Sequence, residues 1–180
     1  NLPTEHMSIM KPITYKSKDG LEIPAYLTLP KGKKAENLPL VINPHGGPWA
    51  RDYWGYNPYA QFLANRGYAV LQVNYRGSGG FGDVFERAGY REWGGKMIKD
   101  ITDATKYVVE QGKVDGDRMC VYGGSYGGYA ALMASVREPD LYKCTIGYVG
   151  IYDLNYAYTD TIYRKTLGGK NFFKKVCGII

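Results

Sequence analysis

Histidine is nearly absent from this chain, with two in 180 residues, His6 and His45. So small a number excludes a zinc site built on histidines, and no metal is expected. Cysteine is also scarce: Cys120, Cys144 and Cys177 show no CxxC spacing, and the odd count argues against a disulfide framework. Cys120 and Cys144 lie in apolar runs and read as small core residues. No apolar run approaches the length of a membrane span and no secretory leader is visible, so no membrane partner is expected. There is no internal repeat. Basic residues exceed acidic ones for a net charge of +6, but they are scattered, with small clusters at Lys31–Lys34 and Lys170–Lys175. That pattern reads as a solvated surface, and no nucleic-acid partner is expected.

The hydrophobic fraction of 44% and charged fraction of 22% are ordinary for a globular domain, and 180 residues suffice for one core. Lys11 to Pro30 reads as a hairpin around Lys18-Asp19-Gly20, because Asp-Gly is a strong turn signal. Leu38 to Pro44 is apolar on both faces, as a central strand is. Pro58 to Tyr68 reads as a helix with proline at its start and Gly67 near its end. Tyr68 to Tyr75 reads as a second buried strand. Helical pattern follows over Asp83 to Trp93 and over Lys96 to Gly112, where Ile98, Ile101, Ala104, Val108 and Val109 recur at helical spacing. Then come a strand, Asp117 to Gly123, a helix, Tyr129 to Glu138, and a strand, Tyr142 to Gly150. A hairpin followed by alternating strands and helices predicts an α/β fold, its sheet mostly parallel with helices on both faces. In such sheets the chemistry sits beyond the carboxyl ends of the strands. The segments there begin at His45, Arg76 and Gly124, and all are glycine-rich.

Two of these segments carry motifs. Gly77, Gly79 and Gly82 match GxGxxG, but the match follows a later strand than the dinucleotide fingerprint requires. It reads as a tight turn, and no cofactor is expected. Gly123-Gly124-Ser125-Tyr126-Gly127 matches GxSxG between a strand and a helix, the setting of a nucleophile elbow. A serine on so sharp a turn needs small neighbours, and glycine two before and two after supplies them. The turn lifts the Ser125 hydroxyl above the sheet and sets the Tyr126 amide at a helix N-terminus, where it can stabilise an oxyanion. His45-Gly46-Gly47-Pro48 follows an earlier strand, where a second oxyanion donor is expected, and Gly47 N–H is the candidate.

YKSKDGLEIPAYLTLP, NPHGGPWARD, NYRGSGGFGDVFERAGYREWGGKMIKDITDA and GGSYGGYAAL, in that order, closely resemble the prolyl oligopeptidase family of serine peptidases. The nearest branch is acylaminoacyl-peptidase-like or dipeptidyl-peptidase-like, and the resemblance spans about Pro12 to Asp153. It implies an α/β-hydrolase catalytic domain, in relatives preceded by a β-propeller, that hydrolyses short peptides through an acyl-enzyme. It makes Ser125 the nucleophile and Tyr126 N–H with the HGGP segment the oxyanion hole. Ile151, Leu154 and Tyr158 are the substrate-pocket candidates, and Asp153 is structural. The pattern departs from the family where the general base should stand. In α/β-hydrolases the acid and histidine follow the serine, and no histidine follows Ser125. The expectation is a single partial catalytic domain over residues 1–180, with residues 1–10 a leader, truncated before the last strands and with no recognisable terminal helix. Alone, such a chain should be nearly inert. An esterase or lipase on the same fold, and a non-catalytic binding protein, are the alternative readings.

Overall fold

A computed structural model describes residues 3–161 and 165–178. The hairpin forms as its turn chemistry requires: β1 (Met10–Lys16) and β2 (Glu22–Thr28) pair antiparallel, and Gly20, at φ 87°, closes the turn by donating to Ser17 O at 2.8 Å. β3 (Leu38–Ile42), α1 (Pro58–Asn65), β4 (Ala69–Val73), the short α2 (Asp83–Arg87), α3 (Lys96–Glu110), β5 (Val114–Gly124), α4 (Tyr126–Arg137) and β6 (Cys144–Tyr148) follow. The sheet order is β1-β2-β4-β3-β5-β6, antiparallel from β1 to β4 and parallel from β4 to β6. The sheet expected is mostly parallel, and three of its five pairings are parallel. β3 and β5, which lead into the HGGP and GGSYGG segments, lie side by side at its centre.

One face of the sheet buries Leu40, Ile42, Leu71 and Val73 against Ile98, Ile101 and Ala104 of α3 and Ala130, Ala131 and Ala134 of α4. By strand alternation Val41, Val70 and Gln72 face the other way. There α1 packs on β2 and β4, with Ala60 and Ala64 buried. A buried ionic knot ties the hairpin to the core. Arg76 donates to both carboxylate oxygens of Asp100 on α3, at 2.8 and 2.7 Å, and to both of Asp19 in the hairpin turn, at 2.7 and 2.8 Å.

Several expectations need correction. Cys120 and Cys144 are not separate core thiols: they are register partners on β5 and β6, joined by a disulfide with Cα atoms 4.6 Å apart, and Cys144 is exposed. The helix beginning at Asp83 stops at Arg87 rather than Trp93, and Arg91 stands at φ 61°. The helix of the GGSYGG segment begins at Tyr126, three residues earlier than its apolar pattern indicated. Beyond β6, α5 (Leu154–Asp160) and α6 (Leu167–Phe172) form, and α6 runs into a π-helical turn, Phe173–Cys177. These two turns are held by packing: Phe172 sits edge-on to Trp93 and Trp49, and Phe173 and Val176 are buried. No described helix is long and apolar enough to cross a membrane.

Candidate active site

The end of β5 turns into α4 within one residue. Ser125 takes φ 56° and ψ −125°, a conformation that costs a non-glycine residue on the order of 1–3 kcal/mol. It is held there from three directions. Its N–H donates to Tyr148 O at the end of β6 (2.9 Å), and its carbonyl accepts from Gly128 N–H (3.0 Å) and Tyr129 N–H (3.2 Å). A serine before the first helical residue ordinarily caps the helix with its hydroxyl. Ser125 makes no such side-chain bond, and the residue is exposed. The Tyr126 and Gly127 amides lie in the first turn, where no intrahelical carbonyl can reach them, so they point out of the helix end beside that hydroxyl.

The glycines are explained by contact. A Cβ on Gly127 would lie 2.2 Å from Pro44 O, one on Gly123 would lie 2.2 Å from Gly127 O, and one on Gly128 would lie 2.9 Å from Tyr148 O. The backbones leaving β3, β5 and β6 therefore meet at distances only glycine allows. Gly46 closes the group, since a Cβ there would be 3.3 Å from Ser125 Cβ and 3.9 Å from Ser125 Oγ. It is Gly46, not Gly47, whose Cα lies against the serine, and the Gly46–Gly47 peptide joins the two. Gly47 itself stands at φ 120°, and a Cβ there would lie 2.6 Å from Ala50 N and 2.7 Å from Trp49 N.

His45 sets the orientation of that peptide. Its Nδ1 lies 2.7 Å from Gly46 O, its Nε2 lies 2.8 Å from Ser78 Oγ, and its ring stacks on Tyr75 at 4.4 Å. Nδ1–H donates to Gly46 O, and Nε2 lies against a Ser78 hydroxyl that itself donates to Tyr75 O at 2.6 Å. Burial lowers the imidazole pKa to about 4, which keeps the ring neutral. Because C=O and N–H point opposite ways across a trans peptide, fixing Gly46 O on the imidazole aims Gly47 N–H away from it. Both ring nitrogens are engaged, so His45 is a brace for the HGGP segment and not a base. The brace extends into the RGSGG turn: Gly79 N–H donates to Trp49 O and Ala50 O, both at 3.1 Å, and a Cβ on Gly79 would lie 2.3 Å from Trp49 O. The sequence marked these glycines as a tight turn. It gave no sign that the turn grips the HGGP segment.

Tyr126 is buried, and its hydroxyl donates to Trp93 O at 2.8 Å, anchoring the first turn of α4 from below. Among the pocket candidates, Ile151 and Leu154 are half-buried just beyond β6, and Leu154 packs on the edge of the main core. The Tyr158 ring lies 5.9 Å from that of Phe173. Asp153 caps α5 by accepting from Tyr156 N–H at 2.9 Å. Sequence reading missed Val149, the residue after β6, which is exposed and stands at φ 45°, an outlier for a β-branched residue. Among the described residues no cluster of three His, Cys, Asp or Glu side chains could hold a metal ion.

The sequence and the fold are similar to those of known proteins. The chain is 48% identical to dipeptidyl aminopeptidase BIII of Pseudoxanthomonas mexicana over 151 residues, 80% of this chain and 22% of that protein. It is 31% identical to the acylamino-acid-releasing enzyme of Sus scrofa over 128 residues, 71% of this chain and 18% of that one. A crystal structure of puromycin hydrolase superposes with a TM-score of 0.87 at 25% identity, covering 99% of this chain and 27% of that one. An acylaminoacyl peptidase in complex with Z-Gly-Gly-Phe-chloromethyl ketone superposes with a TM-score of 0.82 at 27% identity, covering 95% of this chain and 27% of the other. The chain thus spans about a quarter or less of the length of these relatives. The prolyl oligopeptidase family profile matches residues 54–172, and with the α/β-hydrolase sheet and its GxSxG turn this chain belongs to the prolyl oligopeptidase family.

Proposed function

We propose that this chain supplies the nucleophile and oxyanion hole of a serine peptidase that cleaves short peptides through an acyl-enzyme. The observation that carries the reading is the strained, uncapped, exposed Ser125 with the Gly46–Gly47 peptide beside it. In this reading Ser125 Oγ attacks the scissile carbonyl. Tyr126 N–H, at the positive end of α4, and Gly47 N–H, aimed by the His45 brace, receive the developing oxyanion. Ile151, Leu154 and Tyr158 line the approach of the residue before the scissile bond.

A serine hydroxyl is a weak nucleophile until a base takes its proton. His45 is neutral, buried and doubly engaged, and His6 lies in an exposed turn at residues 4–6 beside Glu5. Neither serves Ser125. We therefore assign the base to residues outside this chain, and the 180 residues alone to a folded but nearly inert state. In a serine protease stripped of its triad, roughly 10³- to 10⁴-fold acceleration over water remains from the oxyanion hole and binding. The test is hydrolysis of chromogenic aminoacyl and dipeptidyl substrates by a longer protein that contains this chain, beside the chain alone. Turnover by the longer protein that Ser125→Ala abolishes supports the reading. Rapid turnover by the short chain that His45→Ala abolishes contradicts it.

A further inference from the structure

Asp52 lies seven residues past His45, on the stretch that continues the HGGP segment, and its surroundings do not suit a carboxylate. Its backbone is stapled to Asn74 beyond β4: Asp52 N–H donates to Asn74 Oδ1 at 2.8 Å, and Asn74 Nδ2 donates to Asp52 O at 3.2 Å. Its side chain meets Gln72 of β4, whose Nε2 donates to Asp52 Oδ1 at 2.8 Å. The other oxygen of each group, Asp52 Oδ2 and Gln72 Oε1, is buried with no hydrogen-bond partner among the described residues. Gln72 is 1% exposed. Two orphaned acceptors on two groups already bonded to each other lack one thing, a proton. An ionised Asp52 has none to give, and an unpaired buried carboxylate oxygen is costly.

We propose that Asp52 is a positioning residue for the HGGP segment, held as a carboxylic acid in a two-point pair with Gln72. In that pair Gln72 Nε2–H donates to Oδ1 while Oδ2–H donates to Gln72 Oε1. The proton comes from solvent, and its loss leaves both acceptors unpaired and weakens the anchor of the segment. The charged surroundings agree. Arg51, next in the chain, holds its guanidinium over Phe81 at 4.0 Å and Tyr53 at 4.9 Å and donates to Gly80 O and Asp52 O, not to the carboxylate. On the elements around it the ionisable groups are Glu22 and Tyr26 of β2, Tyr75 two residues past β4, and Tyr59 of α1, which carries no Asp, Glu, Lys, Arg or His. Burial alone pushes the Asp52 pKa up to about 6, against the lowering effect of the Gln72 bond. Only the consequence for catalysis rests on the proposed function, since the proton is read without turnover.

The sign follows from linkage. Between the unfolded value near 3.9 and the folded value of about 6 the folded chain holds a proton that the unfolded chain has released, so stability falls as pH rises through that window. Buried His45 works in the opposite sense over an overlapping range, so the wild-type slope alone is not the test. Asp52→Asn is, because its amide presents one acceptor and one donor to Gln72 at every pH. The folding constant of Asp52→Asn relative to wild type should rise by roughly fiftyfold between pH 4 and pH 7.5, most of the two-unit shift, because about half of the unfolded carboxyl is already ionised at pH 4. In the wild type, a carboxyl carbon resonance that Asp52→Asn removes should titrate with a midpoint about 6. Amide exchange at Asp52 and Gly79, compared at pH 7.5, should be slower in Asp52→Asn than in wild type, with amides of β5 unchanged. A wild-type midpoint near the ordinary 3.9, or an Asp52→Asn chain no more stable than wild type at pH 7.5, overturns the protonated pair. Equal changes at loop and β5 amides overturn the positioning role.

Discussion

Replacing Gly127 with alanine sets two effects of opposite sign against each other. Gly127 is in the first turn of α4, where alanine should favour the helix by up to about 0.5–1 kcal/mol. The new Cβ would lie 2.2 Å from Pro44 O, 3.1 Å from Pro44 C and 3.0 Å from His45 O. Carbon–oxygen contacts settle near ~3.3 Å or beyond, so the backbone at residues 44–45 must retreat by about 1 Å. These are backbone atoms of the segment His45 braces, and no side chain can swing aside. Overpacking of this kind costs typically about 1–3 kcal/mol, and a contact this short belongs at the upper end. The net expectation is a loss of about 2 kcal/mol, or roughly 4–8 °C in melting temperature for a chain of this size. Thermal and urea unfolding followed by circular dichroism measure it. Gly168→Ala is the control: it also lies in a helix, α6, with nothing within 4 Å of its Cβ, so alanine there should be neutral to slightly stabilising. If Gly127→Ala is as stable as wild type, the close approach of β3 and α4 is not what makes position 127 glycine.

Ser125→Gly should be more stable than Ser125→Ala by at least about 1 kcal/mol, because only glycine relieves the backbone at φ 56°; equal denaturation midpoints for the two would show that the turn is not strained. Reduction of the Cys120–Cys144 disulfide, which closes a 24-residue separation, should destabilise the chain by about 3–4 kcal/mol and lower its melting temperature in dithiothreitol; an unchanged melt with free thiols would contradict this. His45, neutral in the fold down to about pH 4 but titrating near 6.5 when unfolded, contributes stability that is lost as pH falls from about 6.5 to 4, on the order of 3 kcal/mol in all. The pH slope of wild type minus that of His45→Gln across that range isolates this contribution, and equal slopes would mean that His45 is not held neutral in the fold.

What could be read without coordinates was whatever depends on neighbours in sequence. The strand-to-helix order, the Asp19-Gly20 turn and the elbow at Ser125 rest on local chemistry, and the structure reproduces each within a few residues. What could not be read depends on strand neighbours. Cys120 and Cys144 pair because β5 and β6 lie adjacent in a register that sets the two side by side, and nothing in their spacing announces it. The α6 segment contains Gly168 and Gly169, poor helix formers, and its helix is stabilised by Phe172 packing edge-on to the distant Trp49 and Trp93. The same limit holds at the candidate site. HGGP could be singled out as a candidate oxyanion segment, but the ring of His45 bracing it through Ser78, and the Asp52–Gln72 contact behind it, join residues of separate strands and loops.

The central claim is that Ser125 is the reactive serine, and covalent labelling tests it most directly. A longer protein containing this chain is treated with a fluorophosphonate, digested, and the modified residue identified by mass spectrometry. The account predicts one stoichiometric adduct, on Ser125, absent in Ser125→Ala, and slow or undetectable labelling of the 180-residue chain alone. An adduct on any other serine, or labelling that survives Ser125→Ala, would contradict it.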